Sequence, residues 1–152
     1  MKVALIQLTS SDDPDENIET VCGFFDEAVA QGAEFVLTPE VTNCVSTSRS
    51  HQESVLCHEG DGPTLKGLRE RSRRSGVWCL IGSLALKTDD PDGRFANRSF
   101  LIGRCGDISA SYDKVHMFDV TVSETEQYHE SRGYRPGTRA VLAETEIGMI
   151  GM

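Results

Sequence analysis

The sequence predicts an α/β fold, and three features of the chain support that prediction. A short apolar run, an amphipathic helical stripe and a second apolar run follow one another near the N-terminus, which is the pattern of a β-α-β unit. A second helical segment is then followed by three apolar runs separated by turns, which is typical of antiparallel strands. The 152-residue length and the 38% hydrophobic content suit one globular domain.

The β-α-β unit spans residues 2–37. Residues 2–8 predict a buried first strand, and the capping side chains, proline and acidic residues of segment 10–16 are typical of a helix N-terminus. The apolar residues of this helix recur at helical spacing and form one stripe: Ile18, Val21, Cys22, Phe25, Ala28 and Val29. Gly32 is expected to end the helix, and residues 34–37 to form the second strand. Because a helix joins the two strands, we expect them to be parallel.

The rest of the chain predicts a second helix and five further strands. The polar, aperiodic stretch 41–62 is expected to be a long loop with short turns, and a helix is expected over 62–76. A second irregular polar stretch is expected over 119–137. The predicted strands are 77–83, 96–102, 108–112, 140–143 and 147–152. The chain ends within the last of these, so we expect it to be the N-terminal part of a longer domain.

The charge balance excludes several classes of partner. With 15 Lys and Arg against 24 Asp and Glu, the net charge is -9, whereas nucleic acid and anionic membranes are bound by basic surfaces. The first apolar run is too short for a signal peptide or a membrane span, so we expect a cytoplasmic protein. A nucleotide-binding domain is a weak alternative, because the turn at 9–13 is acidic and lacks a glycine-rich phosphate loop. We likewise expect the arginines of helix 62–76 to form a solvated outer face and not a phosphate site.

The five cysteines predict free thiols in a reducing compartment. They are odd in number, widely scattered and without a CxxC pair, and His51, Cys57 and His58 lack zinc-ligand spacing. Cys22 and Cys79 fall on apolar faces, so we expect them in the core. Cys44 lies near Glu40 in sequence, but nothing local marks it as a nucleophile.

Three charged residues stand at positions that suit catalysis. Glu40 follows an apolar strand and a proline, where partial burial would raise the pKa of a carboxyl towards that of a general base. Lys114 follows the strand 108–112 and could stabilise an oxyanion. Glu130 lies in the irregular stretch before Pro136. Taken singly, each has the alternative interpretation of a solvated charge at the end of a strand.

Taken together, these motifs resemble the nitrilase (carbon–nitrogen hydrolase) superfamily along all 152 residues. Segment 35–40, which reads FVLTPE, is similar to the motif of the family's general-base glutamate. Segment 112–119, YDKVHMFD, resembles its lysine motif, and Glu130 with the following Pro136-Gly137 resembles the motif of its second glutamate. Segments 62–65, 76–83 and 97–100 match the elements between them. The lysine segment most resembles the branch that contains omega-amidases and deaminated-glutathione amidases.

The resemblance implies a four-layer αββα sandwich, here truncated before completion. It also implies a homodimer or higher homo-oligomer that hydrolyses a small-molecule amide or nitrile without a metal or organic cofactor. A cysteine thiolate would attack the substrate carbon while Glu40 takes the thiol proton. Lys114 would hold the oxyanion, and Glu130 would orient Lys114 or assist the water. We expect the substrate to be a small carboxylated amide, bound through a Lys or Arg that the sequence does not identify.

The family's nucleophile is missing from its place. The resemblance puts it on the strand that starts with residues 147–152, and none of the five cysteines occupies that position. We therefore predict that these 152 residues alone are inactive and that the complete protein is an amidase. The alternative from another class is a non-catalytic module that keeps the fold as a binding or assembly surface.

Overall fold

The computed structural model describes residues 1–152 and is built around one five-stranded sheet. Its strands are β1 (Val3–Leu5), β2 (Phe35–Leu37), β3 (Trp78–Leu86), β4 (Ala96–Ile102) and β5 (Ile108–Asp113). They lie in the order β1-β2-β3-β4-β5, with β1, β2 and β3 parallel and β3, β4 and β5 antiparallel. The predicted β-α-β unit and the antiparallel meander are therefore both confirmed.

Four helices accompany the sheet: α1 (Pro14–Ala30), α2 (Arg49–Val55), α3 (Pro63–Ser75) and α4 (Glu130–Gly133). The two long helices cover one face of the sheet, where Val21 and Phe25 of α1 and Leu68 of α3 pack on Val36 and Ile81. Asp13 caps α1 by accepting hydrogen bonds from the Asp15 and Glu16 N–H groups. None of the helices is both long enough and apolar enough to cross a membrane.

A hairpin of β8 (Leu142–Thr145) and β9 (Gly148–Gly151) packs on the opposite face of the sheet. Ala143 is buried there against Phe35, Trp78 and Leu101. The Trp78 indole N–H also donates to the Glu146 carboxylate at 3.1 Å. Helices, sheet and hairpin thus form three consecutive layers, with the sheet in the middle.

The structure corrects several predicted boundaries. β1 covers only three residues, because its parallel partner β2 ends at Leu37, two residues before Pro39. β3 continues past residue 83 to Leu86, pairing with β4, and the strand predicted at 140–143 is displaced to Leu142–Thr145. Where a strand begins and ends depends on its pairing with the neighbouring strand, and local sequence patterns do not define that pairing.

Both stretches predicted to be irregular contain regular structure. α2 lies within 41–62, where Ser48 caps it by accepting the His51 N–H. β6 (Asp119–Thr121), β7 (Gln127–His129) and α4 lie within 119–137. These elements have three to seven residues and expose much of their surface, so they carry no apolar periodicity that a sequence pattern could detect.

The arginines of α3 form the expected solvated face. Arg73 and Arg74 contact the Glu70 carboxylate, and Arg71 contacts Asp26. The Arg69 guanidinium donates to the carbonyl oxygen of Gly106 at 2.7 Å. Each of the four side chains thus has a partner within the chain.

Candidate active site

Glu40 lies just beyond the carboxyl end of β2, on a turn that is held against β3. Pro39 ends the strand because it has no N–H to donate. Val41 then adopts a φ of +49°, a left-handed conformation that is strained for a β-branched residue. The Val41 N–H donates to the Ser83 hydroxyl at 2.8 Å, and the Thr42 N–H donates to the Ser83 carbonyl at 2.9 Å. Ser83 therefore stabilises the turn that carries Glu40.

Gly82 allows the Glu40 turn to approach β3 closely. A Cβ at this position would lie 2.7 Å from the Pro39 carbonyl oxygen, far inside van der Waals contact. The register of β3 against β4 also shifts between Ile81 and Leu84, which is the signature of a bulge. Gly82, which has no side chain and lies at the bulge of β3, thus sets the position of Glu40, the general-base candidate.

Lys114 follows β5 directly and is fixed through its backbone on both sides. Its N–H donates to the Asn97 carbonyl oxygen on β4 at 2.9 Å, and its own carbonyl oxygen accepts the Gly137 N–H at 2.8 Å. A Cβ on Gly137 would lie 2.8 Å from the carbonyl carbon of Asp113. The Pro136-Gly137 segment can therefore reach Lys114 only because residue 137 is a glycine.

Glu130 is the first residue of α4 and is the most buried of the three, with its side chain 16% exposed. Its carboxylate accepts the Phe118 N–H at 2.7 Å, while its own N–H donates to the Phe118 carbonyl at 3.3 Å. This reciprocal pair joins Glu130 to the residue that precedes β6. Glu130 is thereby held on the segment that follows Lys114.

The structure brings the three predicted residues into one cluster. The Lys114 ammonium lies 3.0 Å from Glu40 Oε1, 3.0 Å from Glu130 Oε1 and 2.8 Å from Glu130 Oε2. The Lys114 side chain is 28% exposed, and that of Glu40 is 57% exposed. One cation thus stands between two carboxylates, and the Glu40 carboxylate is the one open to solvent.

The charges within the cluster favour ionisation of both Glu40 and Lys114. Burial acts to raise the pKa of Glu40, but hydrogen bonds from Lys114 and Asn97, with the charge of Lys114, hold that pKa below its usual range. Burial acts in the opposite sense on Lys114, and the two carboxylates hold its pKa above its usual range. The expectation of a raised Glu40 pKa was wrong, because Lys114 and Asn97 together outweigh the partial desolvation.

Asn97 belongs to the site although the sequence did not mark it as a site residue. It is 2% exposed on β4, and its side-chain Nδ2 donates to Glu40 Oε1 at 2.8 Å. Its side-chain Oδ1 is buried without a hydrogen-bond partner, which costs about 1–3 kcal/mol in a folded protein. Only its place in the segment 97–100, which matches the family motif, could have drawn attention to it.

A second group that the sequence did not mark holds α4 in place. The Arg49 guanidinium of α2 stacks 3.6 Å from the centroid of the Phe95 ring and donates to the Gly133 carbonyl at 3.0 Å. Tyr134 packs edge-on against Phe95, and its hydroxyl accepts a hydrogen bond from Gln52. The helix that begins with Glu130 is therefore anchored at its far end.

An ion-pair network lies beside Lys114. Arg98 on β4 donates to both carboxylate oxygens of Asp113, at 2.5 and 2.9 Å, and to Glu59 at 2.7 Å. Arg135 pairs with Asp90 and lies 3.7 Å from Asp113. A cavity of about 440 Å³ adjoins this network, but its Arg98 and Arg135 side chains are already neutralised by these carboxylates. The network stabilises the strand end that presents Lys114.

The cysteines are free thiols, and none contacts the cluster through a hydrogen bond. Cys22 and Cys79 are buried in the core as predicted, and burial raises the pKa of Cys79 to about 12. Burial, with the charges of Asp12 and Asp13, also raises the pKa of Cys44. A raised pKa keeps these three thiols protonated at neutral pH, which is unfavourable for a nucleophile.

The chain is similar to known proteins along almost its whole length. A family model described as carbon-nitrogen hydrolase matches residues 2–152. A deaminated glutathione amidase of Yersinia enterocolitica is 32% identical over 154 residues, covering 99% of this chain and 52% of that protein. An omega-amidase of Homo sapiens is 27% identical over 151 residues, covering 99% of this chain and 53% of that protein. The chain therefore spans about half the length of these curated relatives.

The fold is shared with solved structures as well. The crystal structure of the C. elegans NitFhit protein matches with a TM-score of 0.86 at 24% identity, covering 99% of this chain and 36% of that chain. At this identity the likeness shows the fold alone. Because the family model extends over all but the first residue, the chain belongs to the carbon-nitrogen hydrolase family.

Proposed function

We propose that the complete protein is an amidase that hydrolyses the carbon–nitrogen bond of a small carboxylated amide and releases ammonia. The observation that carries this proposal is the position of the Lys114 ammonium, within 3.0 Å of both Glu40 and Glu130. A cation held beside a solvent-exposed carboxylate provides a base and an oxyanion partner in one place. The names of the amidase relatives support the same reaction class.

In the proposed mechanism a cysteine thiol gives its proton to Glu40, and the thiolate attacks the amide carbon. The negative charge then develops on the former carbonyl oxygen beside Lys114. Glu40 passes the proton to the departing nitrogen, ammonia leaves, and a thioester remains. Water, deprotonated by Glu40, attacks the thioester; the carbon–sulfur bond breaks, and the acid and the free thiol are formed.

Proton transfer to Glu40 has a further electrostatic consequence. In the resting site two carboxylates share the charge of Lys114. Once Glu40 has taken the proton it is neutral, so only the Glu130 carboxylate still compensates the charge of Lys114. This happens as the oxyanion forms. Lys114 thus interacts more strongly with the transition state than with the bound substrate, which is the requirement for catalysis.

The nucleophile in this proposal is a cysteine outside these 152 residues. The support is the placement of the five thiols, none of which hydrogen-bonds to Glu40, Lys114 or Glu130. The chain's coverage of about half of the amidase relatives is consistent with it. We expect residues 1–152 alone to release no ammonia from any amide, and Glu40-dependent release by this piece would contradict the proposal.

The test is ammonia release by the full-length protein from a panel of omega-amides of keto acids and of simple aliphatic amides. We expect Glu40→Gln and Lys114→Ala to reduce kcat by about 100-fold or more. Glu19→Gln, an exposed substitution on α1, is the matched control and should retain activity. Alkylation with iodoacetamide should stop turnover, and peptide mass spectrometry should then locate the reactive thiol outside residues 1–152. Loss of turnover that follows alkylation of Cys22, Cys44, Cys57, Cys79 or Cys105 would overturn the assignment of the nucleophile.

A non-catalytic binding or assembly module is the second candidate. The absence of a thiol at the cluster within these 152 residues is the observation that favours it. A non-catalytic module would release no ammonia as the full-length protein. It would also have no cysteine that is alkylated faster than an ordinary, unactivated thiol. Rapid alkylation of a single cysteine would exclude it.

The proposed amidase is also expected to be a cytoplasmic homodimer. Five unpaired cysteines suit a reducing compartment, and the net charge of -9 does not suit anionic membranes or nucleic acid as partners. Light scattering of the full-length protein and localisation of a tagged copy check these expectations.

A further inference from the structure

Asn97 contacts both of the principal candidate residues. Its side-chain Nδ2 donates to Glu40 Oε1 at 2.8 Å, and its backbone carbonyl accepts the Lys114 N–H at 2.9 Å. Because a carboxylate oxygen only accepts, the amide must turn its nitrogen towards Glu40. One buried residue of β4 thus fixes the separation between the base and the cation.

The contacts of Asn97 make the two oxygens of Glu40 unequal. Oε1 accepts from both Asn97 Nδ2 and Lys114 Nζ, whereas Oε2 has no partner within the chain. An oxygen with two N–H donors has its lone pairs engaged and is the poorer proton acceptor of the two. Since the Glu40 side chain is more than half exposed, Oε2 is the oxygen free to meet a proton donor.

The Asn97 side chain makes hydrogen bonds through its donor alone, since its Oδ1 has no partner within the chain. A buried acceptor without a partner is unfavourable in a folded protein, and a leucine of similar volume would remove it. Asn17 provides the contrast within the same chain. Its Oδ1 accepts the Ser11 N–H, and its Nδ2 donates to the carbonyls of Ser11 and Asn43.

We propose that Asn97 is a positioning residue that holds Glu40 Oε1 against Lys114 and leaves Glu40 Oε2 to receive the proton. This inference deepens the proposed amidase function and rests on it for its catalytic meaning. Removing the Asn97 donor also removes one of the hydrogen bonds that lower the pKa of Glu40.

The test compares Asn97→Leu with the wild type in the full-length protein. We expect kcat/KM to fall about tenfold or more. We also expect the acid limb of the pH profile of kcat/KM to move to higher pH, because Glu40 then holds its proton more tightly. The free energy of unfolding is measured alongside, because the lost hydrogen bond to Glu40 and the removed unpaired Oδ1 change it in opposite directions. Asn17→Leu is the matched control and should reduce stability without moving the acid limb. An Asn97→Leu variant with reduced stability and an unmoved acid limb would assign a purely structural role.

A titration that needs no turnover separates this inference from the proposed function. The carboxyl carbon of Glu40, followed by NMR across pH, should titrate at higher pH in Asn97→Leu than in the wild type. Asn97→Ala also lacks the donor and adds no charge, so it should move the titration in the same direction if the leucine variant does not fold. An unmoved Glu40 titration overturns the role of Asn97, whereas a wild type without ammonia release overturns the amidase proposal alone.

Discussion

At the scale of single residues, the site consists of one cation that two carboxylates share unequally. Glu130 binds Lys114 with both oxygens and is also tied to the Phe118 backbone, so it acts as a fixed anchor. Glu40 binds Lys114 through one oxygen and keeps most of its surface exposed. The more exposed and less constrained carboxylate is the one suited to exchange protons with a substrate.

The contribution of Glu40 to stability should depend on pH in a defined direction. Its pKa is lower in the folded protein than in the unfolded chain, so its stabilisation is present above about pH 4.3 and is lost as pH falls through the folded value. Lys114, whose pKa is raised, contributes below about pH 10.4 and loses its contribution as pH rises through its folded value.

Glu40→Gln should therefore lower the free energy of unfolding at neutral pH by about 1 kcal/mol at most, because the pair is partly exposed. The difference from the wild type should shrink as pH falls through the folded pKa of Glu40, because the carboxyl is then protonated in both the folded and the unfolded state. Urea unfolding across a series of acidic pH values measures it, with Glu19→Gln as reference. A difference that grows on acidification would contradict the lowered pKa.

At the scale of elements, two close backbone contacts position Glu40 and Lys114. Gly82 lets the turn after β2 lie against β3, and Gly137 lets the segment after α4 lie against the end of β5. Neither glycine has a positive φ, so close approach and not backbone conformation is what requires them. These two close contacts and the hydrogen bonds of Asn97 together set the distance between Glu40 and Lys114.

Gly82→Ala and Gly137→Ala should each cost about 1–3 kcal/mol of stability and reduce amidase activity, because the new Cβ would displace the turn or the lysine segment. Gly23→Ala is the matched control: it lies within α1, where a Cβ meets nothing within 4 Å. That substitution should stabilise the protein by about 0.5–1 kcal/mol. Urea unfolding and ammonia release check all three, and tolerance of alanine at residue 82 or 137 would refute the close-contact interpretation.

At the scale of the whole molecule, the β8–β9 hairpin is a second β layer on the sheet face opposite to the helices. Its inward residues Ala143, Ile147 and Ile150 pack on the apolar cluster around Trp78, while Leu142 and Met149 face outward. Trp78 is the single tryptophan of the chain and lies beneath the hairpin with 8% of its surface exposed. Its fluorescence therefore reports whether the two β layers are docked.

Ala143→Asp should undock the hairpin, because it places an unpaired carboxylate in an apolar cluster at a cost of about 3 kcal/mol. We expect the Trp78 emission to shift to longer wavelength and its quenching by acrylamide to increase. Met149→Asp, on the outward face of the same hairpin, should leave both unchanged. Equal spectra for the two variants would show that the hairpin does not cover Trp78.

Local sequence patterns were enough to predict the β-α-β unit, the meander and the three charged residues of the cluster. Apolar periodicity reports burial of one face of an element, and the motifs around Glu40, Lys114 and Glu130 are contiguous in the chain. Both signals are local, so both could be recognised without coordinates. The catalytic roles of the three residues stay a prediction.

The contacts between distant segments could be seen only in the folded chain. The Asn97 contact with Glu40 joins residues 57 positions apart, and the Arg49 contact with Gly133 joins residues 84 positions apart. The pKa of Glu40 also depends on a contact between distant segments. Glu40 lies at a strand end, as predicted, yet its pKa is lowered because Lys114, 74 residues away, contacts it. Distances between remote segments depend on strand register and close backbone packing, which no local pattern encodes.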